Sequence, residues 1–349
     1  MMKAGTVVSV FINQCMDFRN DRSYDTDAGF YEFDIQDKFP MVYYDSNVEF
    51  RSEIMKDSLI KAMACEGRVR IFICATTELV EEARQRFDLW PTSAAALGRT
   101  LSVGSMMGSM LKSEQEQLTI IINGGGSIGT IMVDAYSDGH VRGFVSDPHI
   151  MLKYNDTGKL AVGLAVGTSG NLEVIKDLHM KENWKGTVAL QSGEIGDDFA
   201  YYFTVSEQTP SAVSVGVLVD EAHPIISAGG LIIQMMPDAT EADIVKTEKL
   251  LEHLQPMSEL IRTNESLSDI VLSLYDDVKI LSEQPISFHC HCDKAIMKRV
   301  LTTLSKKERM AMIEEDHGCE ITCNFCNERY HFTEQELKDL EAFLDAHAK

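Results

Sequence analysis

The sequence has little positive charge and no long apolar run, and each of these features excludes a class of function. Thirty-two Lys and Arg stand against 54 Asp and Glu, a net charge of −22, and no basic patch interrupts the acidic background. Such a chain repels nucleic-acid phosphates and anionic lipid headgroups. No stretch approaches the roughly 20 apolar residues that cross a bilayer as a helix. We therefore expect neither a nucleic-acid nor a membrane partner.

The N-terminus also lacks the features of a cleaved signal. Residues 1–12 carry one Lys and a short apolar stretch, but no A-x-A cleavage site follows, and the next residues are acidic and aromatic. The chain is therefore predicted to be cytoplasmic. Its 349 residues, 44% hydrophobic and 25% charged, suffice for two or three units that bury a sizeable core.

Changes in residue pattern divide the chain into segments. Residues 1–54 hold ten acidic and five basic side chains without a sustained hydrophobic period, and are expected to form an atypical N-terminal extension outside the main fold. Residues 55–237 alternate β-rich runs with turn signals, which predicts an α+β domain built on antiparallel sheet. The pattern predicts a strand over 69–77, a following helix stopped by Pro91, and a buried helix rich in Ala, Gly and Met over 93–112.

Residues 238–286 are predicted to be a helical linker. Their eleven acidic and four basic side chains give a charge of −7. Thr240 and Asp243 have the spacing of a helix capping box, and Pro256 must interrupt the helix that follows. Apolar residues at helical spacing indicate that these helices dock on another surface. They are Leu250, Leu254, Met257 and Ile261, then Leu267, Ile270, Val271 and Leu274.

Residues 287–349 are predicted to form a small zinc-binding α+β module, whose last two helices begin at the capping boxes Ser305/Glu308 and Thr333/Glu336. The helix that begins at Ser305 is expected to end at Gly318. A unit of about 60 residues has a thin core and usually needs a metal or disulfides. Five of the eight cysteines fall between residues 290 and 326, and in a chain without a secretion signal such clustering favours a metal site.

The strongest chemical signal is the pair of motifs Cys290-x-Cys292 and Cys323-x-x-Cys326. Two close pairs of thiolates make the tetrahedral S4 site that Zn²⁺ prefers in a structural role, so we predict one zinc ion on these four cysteines in the reduced protein. Cys319 offers CEITC as a rival to CNFC. The nearby histidines are interpreted as bystanders, because four thiolates already complete the coordination. They are His289, His291, His317 and His331.

Four thiolates with no open coordination position do not form a hydrolytic centre, which leaves two interpretations of the site. Zinc-bound thiolates stay available to oxidants, and their oxidation would expel the metal and unfold the module, so the site would act as a sensor. Alternatively, the site is a permanent zinc staple of the C-terminus.

Other motifs predict no catalytic site, and we expect that the protein is not an enzyme. Gly124, Gly126 and Gly129 match G-x-G-x-x-G, but the residues after them continue with strand character, which favours a tight turn over dinucleotide binding. Ser109-x-x-Lys112 lacks the companion motifs of an acyl-enzyme site.

Two further groups are interpreted as structural. Glu194, Asp197 and Asp198 could form an acid pair, but an exposed acidic turn is the favoured interpretation. Cys65 and Cys74 lie in apolar or strand-like settings and are predicted to be core thiols.

Four stretches and the two cysteine pairs carry a resemblance to a known family. The stretches are TTELVEEARQRFDLWPTSAAALGRT, SVGSMMGSMLK, SGEIGDDFAYYFTVSEQTPSAVSVGVLVD and AGGLIIQMMP. From Met55 to about Leu344 the sequence resembles the redox-regulated bacterial chaperone family of the thirty-three-kilodalton heat-shock protein. The resemblance implies an ATP-independent holdase that is inactive when reduced and zinc-bound, and that binds unfolding or misfolding client proteins after oxidation.

The resemblance also implies roles for particular residues. Cys290, Cys292, Cys323 and Cys326 would be both the zinc ligands and the redox-active thiols, and oxidation would pair 290 with 292 and 323 with 326. Residues 238–286 would be the redox-sensitive linker, which loses structure on activation and uncovers apolar surface. The surfaces uncovered in this way make a homodimer of the oxidised protein a further prediction.

The sequence departs from the family pattern at three places. Family members begin near the equivalent of Met55, so residues 1–54 are either an extension or an upstream start misread as coding, with Met41 or Met55 as the start. Cys319 lies outside the pattern and could form a competing disulfide, and His291 stands where Asp or Asn is more common. The alternative function is a zinc-stapled interaction or regulatory protein without a redox switch.

Overall fold

Two large sheets, a small hairpin and the helices around them make up the protein in a computed structural model, which describes residues 2–3, 7–10, 55–220 and 224–347. Sheet 1 has seven strands and sheet 2 has six. Within these residues, paired strands are antiparallel apart from one short parallel pair at the edge of sheet 2. The fold is therefore α+β on antiparallel sheet, as predicted.

Sheet 1 is covered on both of its faces. Its strands, in spatial order, are β1 (Met2–Lys3), β10 (Ser211–Val219), β11 (Ile225–Met235), β4 (Val69–Ala75), β3 (Ser58–Ala64) and β12 (Lys279–Pro285), with β2 (Val7–Val10) also paired to β10. Successive side chains of a strand point to opposite sides. In β4, Ile71 and Ile73 accordingly belong to one apolar core, and Phe72 and Cys74 belong to the other. Burial on both faces explains why this strand is an almost continuous apolar run.

Strands β1 and β2 lie in the segment that was expected to remain outside the main fold. Both pair with β10, and β2 does so in the register Val7 to Val215. That expectation is wrong for these two strands. The rest of the segment, with Cys15 and the candidate start Met41, lies outside the described residues.

Sheet 2 contains the turn made by the glycine motif. Its strands, in spatial order, are β13 (Ser287–Phe288), β7 (His140–Val145), β6 (Thr130–Tyr136), β5 (Gln117–Asn123), β8 (Asn171–Asp177) and β9 (Trp184–Ala189). Gly125 and Gly129, in the turn between β5 and β6, have φ of 74° and 70°. A Cβ on Gly124 would lie 2.1 Å from the carbonyl oxygen of Gly167. The glycines permit two loops to pack closely, and the motif is followed by strand β6 rather than by a helix. The predicted tight turn is therefore confirmed.

A fully buried helix lies between the two sheets. The helices of this part of the chain are α1 (Thr77–Phe87), α2 (Pro91–Gly108), α3 (Val162–Val166) and α4 (Gly196–Val205). Every residue of α2 is buried, and the helix contacts strands of both sheets, which its small side chains permit. Pro91 is the first residue of α2, whereas α1 already ends at Phe87, so the predicted role of Pro91 as a stop is corrected. Among the described helices, none has the combination of length and hydropathy needed to cross a bilayer.

Three short helices, here called the linker helices, cover the second face of sheet 1. They are α5 (Glu241–Glu252), α6 (Met257–Thr263) and α7 (Leu267–Leu274). The predicted capping box of Thr240 and Asp243 begins α5, and Nε of Arg68 lies 2.7 Å from Oδ2 of Asp243. Pro256 separates α5 from α6, as predicted. The linker helices share one apolar core with sheet 1, and therefore dock as expected.

Two details of this segment differ from the prediction. The buried stripe of α5 passes through Ile244 and Leu251, whereas Leu250 and Leu254 are only half-buried. The helical pattern was also expected to continue to residue 286, but residues 279–285 form β12, which pairs with β3 at the edge of sheet 1. Nearly all side chains of β12 are exposed, so the strand lacks the apolar periodicity by which a sequence pattern would reveal it.

The C-terminal module contains helices and a hairpin. Its elements are α8 (Lys294–Leu301), α9 (Lys306–Glu314), β14 (Gly318–Thr322), β15 (Arg329–Thr333) and α10 (Glu334–His347). Both predicted capping boxes are present, with the backbone N–H of Glu308 donating to Ser305 Oγ and that of Glu336 donating to Thr333 Oγ1. Gly318 begins β14 and does not end the preceding helix, which is a correction to the prediction.

The residues of the acidic turn at 194–198 are buried or half-buried, so the expectation of an exposed turn is wrong. Oε2 of Glu194 lies 2.7 Å from Nη1 of the fully buried Arg99, in the middle of α2. Asp198 has no exposed surface and accepts hydrogen bonds from backbone N–H groups, including those of Gln191 and Ile195. Buried carboxylates need such partners. The pair of Glu194 with Arg99 ties the start of α4 to the central helix α2.

Asp197 in this turn is predicted to make stability depend on pH. Its pKa is raised to about 6, because burial disfavours the charged carboxylate more than the hydrogen bond from Ser192 favours it. This pKa is higher than that of an aspartate in the unfolded chain, so protonation of Asp197 favours the folded state. The contribution of Asp197 to the free energy of unfolding is therefore fully present below the unfolded pKa and is lost as the pH rises through about 6. Asp197→Asn should therefore gain unfolding free energy relative to the wild type between about pH 4.5 and 7.5, as measured by urea denaturation.

Asp156→Asn, at an exposed aspartate, is the control for this experiment. A stability difference between Asp197→Asn and the wild type that stays constant over this pH range would contradict the prediction.

Candidate metal centre

Four cysteine sulfurs meet in one cluster in the C-terminal module, here called the thiol cluster. The Sγ atoms of Cys290, Cys292, Cys323 and Cys326 all lie within 4.8 Å of one another. Cys290 and Cys323 are 3.8 Å apart, and Cys292 and Cys326 are 3.3 Å apart. Sulfurs about 2.3 Å from a tetrahedral zinc lie about 3.8 Å from each other. The donor set and its spacing therefore fit one zinc ion.

The local backbone explains how the two cysteine pairs reach this arrangement. Cys290 and Cys292 follow directly after β13, which holds them beside sheet 2. Cys323 and Cys326 lie in the turn between β14 and β15, where the N–H of Cys323 donates to the carbonyl of Glu328 and the N–H of Asn327 donates to the carbonyl of Cys323. Because these hydrogen bonds close the turn, both thiols point to the same side.

The environment of the thiol cluster influences its protonation. Burial raises the pKa values of the Cys323 and Cys326 thiols, because it disfavours the thiolate form. Burial also opposes ionisation of Cys290, but hydrogen bonds from the Cys292 backbone and the Arg142 guanidinium outweigh it and lower the pKa of this thiol. Cys290 therefore loses its proton more readily than an unperturbed cysteine, and the thiolate is the form that binds metals and reacts with oxidants.

The thiol cluster is docked against the rest of the protein. Nη1 of Arg142, in β7, lies 3.2 Å from Sγ of Cys290, and the same guanidinium stacks 4.3 Å from the ring centre of Phe325. Phe144 meets Phe325 edge to face at 5.4 Å. On the neighbouring helix α1, the backbone carbonyl of Arg86 accepts a hydrogen bond of 2.7 Å from Nδ2 of Asn327.

Sequence reasoning did not find Arg142 or Arg86. Each lies in an ordinary strand or helix pattern, far along the chain from the cysteines. Only the short parallel pairing of β13 with β7 brings Arg142 to the thiol cluster, and no local pattern reveals such a pairing.

The other cysteines that the structure describes lie outside the thiol cluster. Cys65 and Cys74 are buried in the apolar cores, as predicted. Cys319 lies in β14, where burial raises the pKa of its thiol. The structure therefore brings CNFC, and not CEITC, to the cluster.

The histidines near the cysteines separate into two groups. His317 and His331 lie beside glutamates, at 3.1 Å from Glu334 and 3.2 Å from Glu320 respectively. His289 and His291 instead lie beside the ring of His140. None of these rings belongs to the group formed by the four sulfurs among the described residues.

The Ser109-x-x-Lys112 motif belongs to the end of α2. The Ser109 hydroxyl is buried and donates to the carbonyl of Met106 at 2.7 Å, whereas Lys112 is exposed. The Ser109 hydroxyl thus caps the end of the helix, and the motif does not bring the two side chains together.

The fold and the site together define an α+β protein with a C-terminal four-cysteine module that can hold a metal ion. Residues 57–333 match the model of the family described as Hsp33 protein. The chain belongs to the Hsp33 family, in agreement with the resemblance of its motifs.

Relatives of known name support the same assignment. The 33 kDa chaperonin of Halalkalibacterium halodurans is 47% identical over 288 residues, which cover 82% of this chain and 99% of that protein. The 33 kDa chaperonin of Bacillus subtilis (strain 168) is 46% identical over 287 residues, covering 81% and 98%. The crystal structure of the 33 kDa chaperonin from Thermotoga maritima superposes with a TM-score of 0.77 at 34% identity, covering 83% of this chain and 99% of that one.

Arg142→Met is predicted to weaken zinc binding without removing any sulfur. Four thiolates around one dication carry net negative charge, which the guanidinium beside Cys290 offsets. Losing a neighbour of this kind lowers metal affinity by about tenfold. Competition with a chromogenic chelator on the reduced protein measures the change.

Arg329→Met is the matched control, since Arg329 is an exposed arginine of the same module, in β15. Equal zinc affinities of the two variants would show that Arg142 does not stabilise the site.

Proposed function

We propose that this protein is an ATP-independent holdase chaperone that is switched on by oxidation of the thiol cluster. The observation that carries the proposal is the position of the linker helices, which cover an apolar face of sheet 1 and are joined to the cysteine module through β12 and β13. The names of its relatives, 33 kDa chaperonin, support the chaperone part of the proposal. No catalytic residue is assigned, and the ligands are unfolding or misfolding proteins.

The switch begins with thiolate chemistry. Peroxide oxidises one thiolate to a sulfenic acid, and a neighbouring thiol then displaces water from it to give a disulfide. Each disulfide formed transfers two electrons to one molecule of peroxide. We assign the disulfides to Cys290 with Cys292 and to Cys323 with Cys326. This pairing is the one that the resemblance to the Hsp33 family implies, and it joins partners that are separated by only one or two residues. The same four sulfurs are the proposed zinc ligands of the reduced protein, and disulfide formation removes them as ligands.

Loss of the metal site would undock the module. Zinc-dependent modules of this size are stable only with their metal. If the turn that carries Phe325 and Asn327 unfolds, the contacts of this turn with Arg142 and Arg86 are lost. The chain before the cysteines then remains attached to the protein through β12, β13, the hydrogen bonds that Asp277 accepts from Cys65 and Glu66, and the linker helices.

Undocking of the linker helices would uncover two apolar surfaces. One is the face of sheet 1 and the other is the inner side of the helices themselves. Contiguous apolar patches of this kind bind other proteins. The sheet contributes Ile60, Ala62, Ile71, Ile73, Leu231 and Ile233, and the helices contribute Ile244, Leu251, Met257, Ile261, Ile270 and Val271. The net charge of −22 would keep the loaded complex in solution.

The proposal divides the chain at the boundaries expected from the sequence. Residues 55–237 form the chaperone domain, 238–286 the redox-sensitive linker and 287–349 the switch module. A homodimer of the oxidised protein is part of the proposal, because the uncovered surfaces of two copies can associate.

Oxidation is predicted to release about one zinc ion per chain and to switch on holdase activity. The assay follows light scattering from a denaturant-unfolded client in the presence of either the reduced, zinc-loaded protein or the peroxide-oxidised protein. Zinc release is recorded with a chromogenic chelator, and peptide mapping identifies the disulfides. Only the oxidised protein should suppress aggregation.

In the Cys290→Ser variant, oxidation should no longer change holdase activity. The Cys319→Ser variant should still be activated by oxidation, since Cys319 lies outside the thiol cluster. If the reduced and oxidised proteins suppress aggregation equally, or if neither does, the cysteines serve as a structural staple and the protein is a zinc-stapled interaction protein. Disulfides that join the two motifs would overturn the assigned pairing.

Uncovering sheet 1 without oxidation is predicted to activate the reduced protein. Val271 in α7 is fully buried against sheet 1. An aspartate there would bury an unpaired charge at a cost of several kcal/mol, which favours undocking of α7. Val271→Asp should therefore suppress client aggregation in the reduced state and increase hydrogen exchange over residues 257–285, with its zinc content unchanged.

Leu272→Asp is the matched control, because Leu272 is the next residue and is 51% exposed. It should behave as the wild type in all three measurements. If Val271→Asp undocks α7, as shown by hydrogen exchange, yet stays inactive, the face beneath the linker helices is not the client surface.

A further inference from the structure

A second set of metal-binding side chains lies next to the thiol cluster. It consists of His140 in β7 together with His289 and His291 of the HCHC sequence, and is here called the histidine cluster. One ring nitrogen of each residue lies within 4.8 Å of the others. The ring centres of His140 and His289 are 4.3 Å apart, and those of His289 and His291 are 4.7 Å apart. We propose that the histidine cluster is a second metal site, which takes a divalent late first-row cation such as Zn²⁺.

The alternation of His and Cys along HCHC creates two separate groups of ligands. Neighbouring side chains of an extended segment point to opposite sides. Cys290 and Cys292 accordingly join the thiol cluster, whereas His289 and His291 join His140. The N–H of His289 donates to the carbonyl of Val141 at 2.9 Å, which keeps this segment beside β7. The strand pairing therefore supplies the third imidazole from a distant part of the chain.

The chemistry of three imidazoles suits zinc and its neighbours in the first transition row. Nitrogens that bind a tetrahedral zinc at about 2.05 Å lie about 3.3 Å apart, so the rings must approach by rotating. His289 and His291 are exposed and can rotate, whereas His140 is held half-buried in the sheet. Three protein ligands leave a fourth position open to water.

The charges around the histidine cluster also favour a cation. Oδ2 of Asp138 lies 2.8 Å from Nδ1 of His140, so a carboxylate stands at the edge of the site. Arg142 would oppose a cation, but its guanidinium is engaged by Asp134 at 2.8 Å and by the sulfur of Cys290 at 3.2 Å. A carboxylate beside a metal-binding imidazole is a common outer-shell partner.

The two sites differ in donor atoms and in exposure. Imidazole nitrogens open to solvent bind and release their ion more readily than four clustered thiolates do. An ion in the histidine cluster would tie the segment that carries Cys290 and Cys292 to sheet 2. The inference does not depend on the redox switch, since the site exists in the reduced protein.

The test is a Zn²⁺ titration of the full-length, reduced protein that already holds one equivalent of zinc. Isothermal calorimetry is performed at physiological salt with excess Mg²⁺, which occupies weak carboxylate sites. The wild type should bind one further equivalent. His140→Ala, His289→Ala and His291→Ala should each weaken this second binding by about tenfold or more, because loss of an outer-shell partner alone costs that much. Each should retain the first equivalent, which also reports that the module is folded.

His331→Ala is the control, as it removes an exposed imidazole from the same module and should bind as the wild type does. Proton NMR of the wild type provides a measurement that needs no variant to fold, since zinc should shift the ring signals of three of the ten histidines. The absence of a second equivalent would overturn the proposal. The proposal would also be overturned if the second binding persisted in all three variants, or if zinc shifted the ring signals of the other histidines. Either outcome would assign the ion to the acidic surface.

Discussion

The structure depends on one constraint, which is that sheet 1 has two apolar faces and both must be covered. Sheet 2 and the buried helix α2 cover the first face, within one continuous core. The second face is covered by the linker helices, which form a separate core with it. A strand such as VRIFICA, apolar on both sides, cannot leave either face in water without presenting a binding surface. The linker helices are thus the structural element that keeps this face of the sheet out of water.

The position of the thiol cluster follows from this constraint. The chain leaves α7, adds β12 to the edge of sheet 1 and β13 to the edge of sheet 2, and then reaches Cys290. The module docks on β7 and α1 through Arg142, Phe144 and Arg86. The linker helices are therefore held from both ends. The start of α5 is fixed to sheet 1 by the pair of Asp243 with Arg68. The far end is fixed first by Asp277, which accepts hydrogen bonds from the backbone N–H groups of Cys65 and Glu66, and then by the module built around four thiols.

Local sequence patterns predicted those parts of the structure that are determined by residues close together in the sequence. The antiparallel hairpins, the buried helix α2, the capping boxes and the grouping of the four cysteines follow from spacing and side-chain chemistry, and all are present. The failures have non-local causes. Glu194 looks like a surface residue until Arg99 is brought beside it from another helix, and β12 is held by backbone pairing rather than by apolar side chains. Arg142 reaches Cys290 only through the pairing of β13 with β7.

The linker helices are too short to persist once they leave the sheet. Isolated helices of fewer than about 12 residues are marginal in water, and α6 and α7 contain seven and eight residues. The attachment of α5 through Asp243 and Arg68 involves no thiol, so oxidation does not act on that end. At the other end, β12 buries almost none of its side chains and has little to hold it besides its hydrogen bonds to β3. In the proposed switch, undocking therefore starts at β12, passes through α7 and α6, and reaches α5 last. The order follows from the distribution of buried contacts, and it places the first uncovered part of sheet 1 beneath α7, beside β3 and β4.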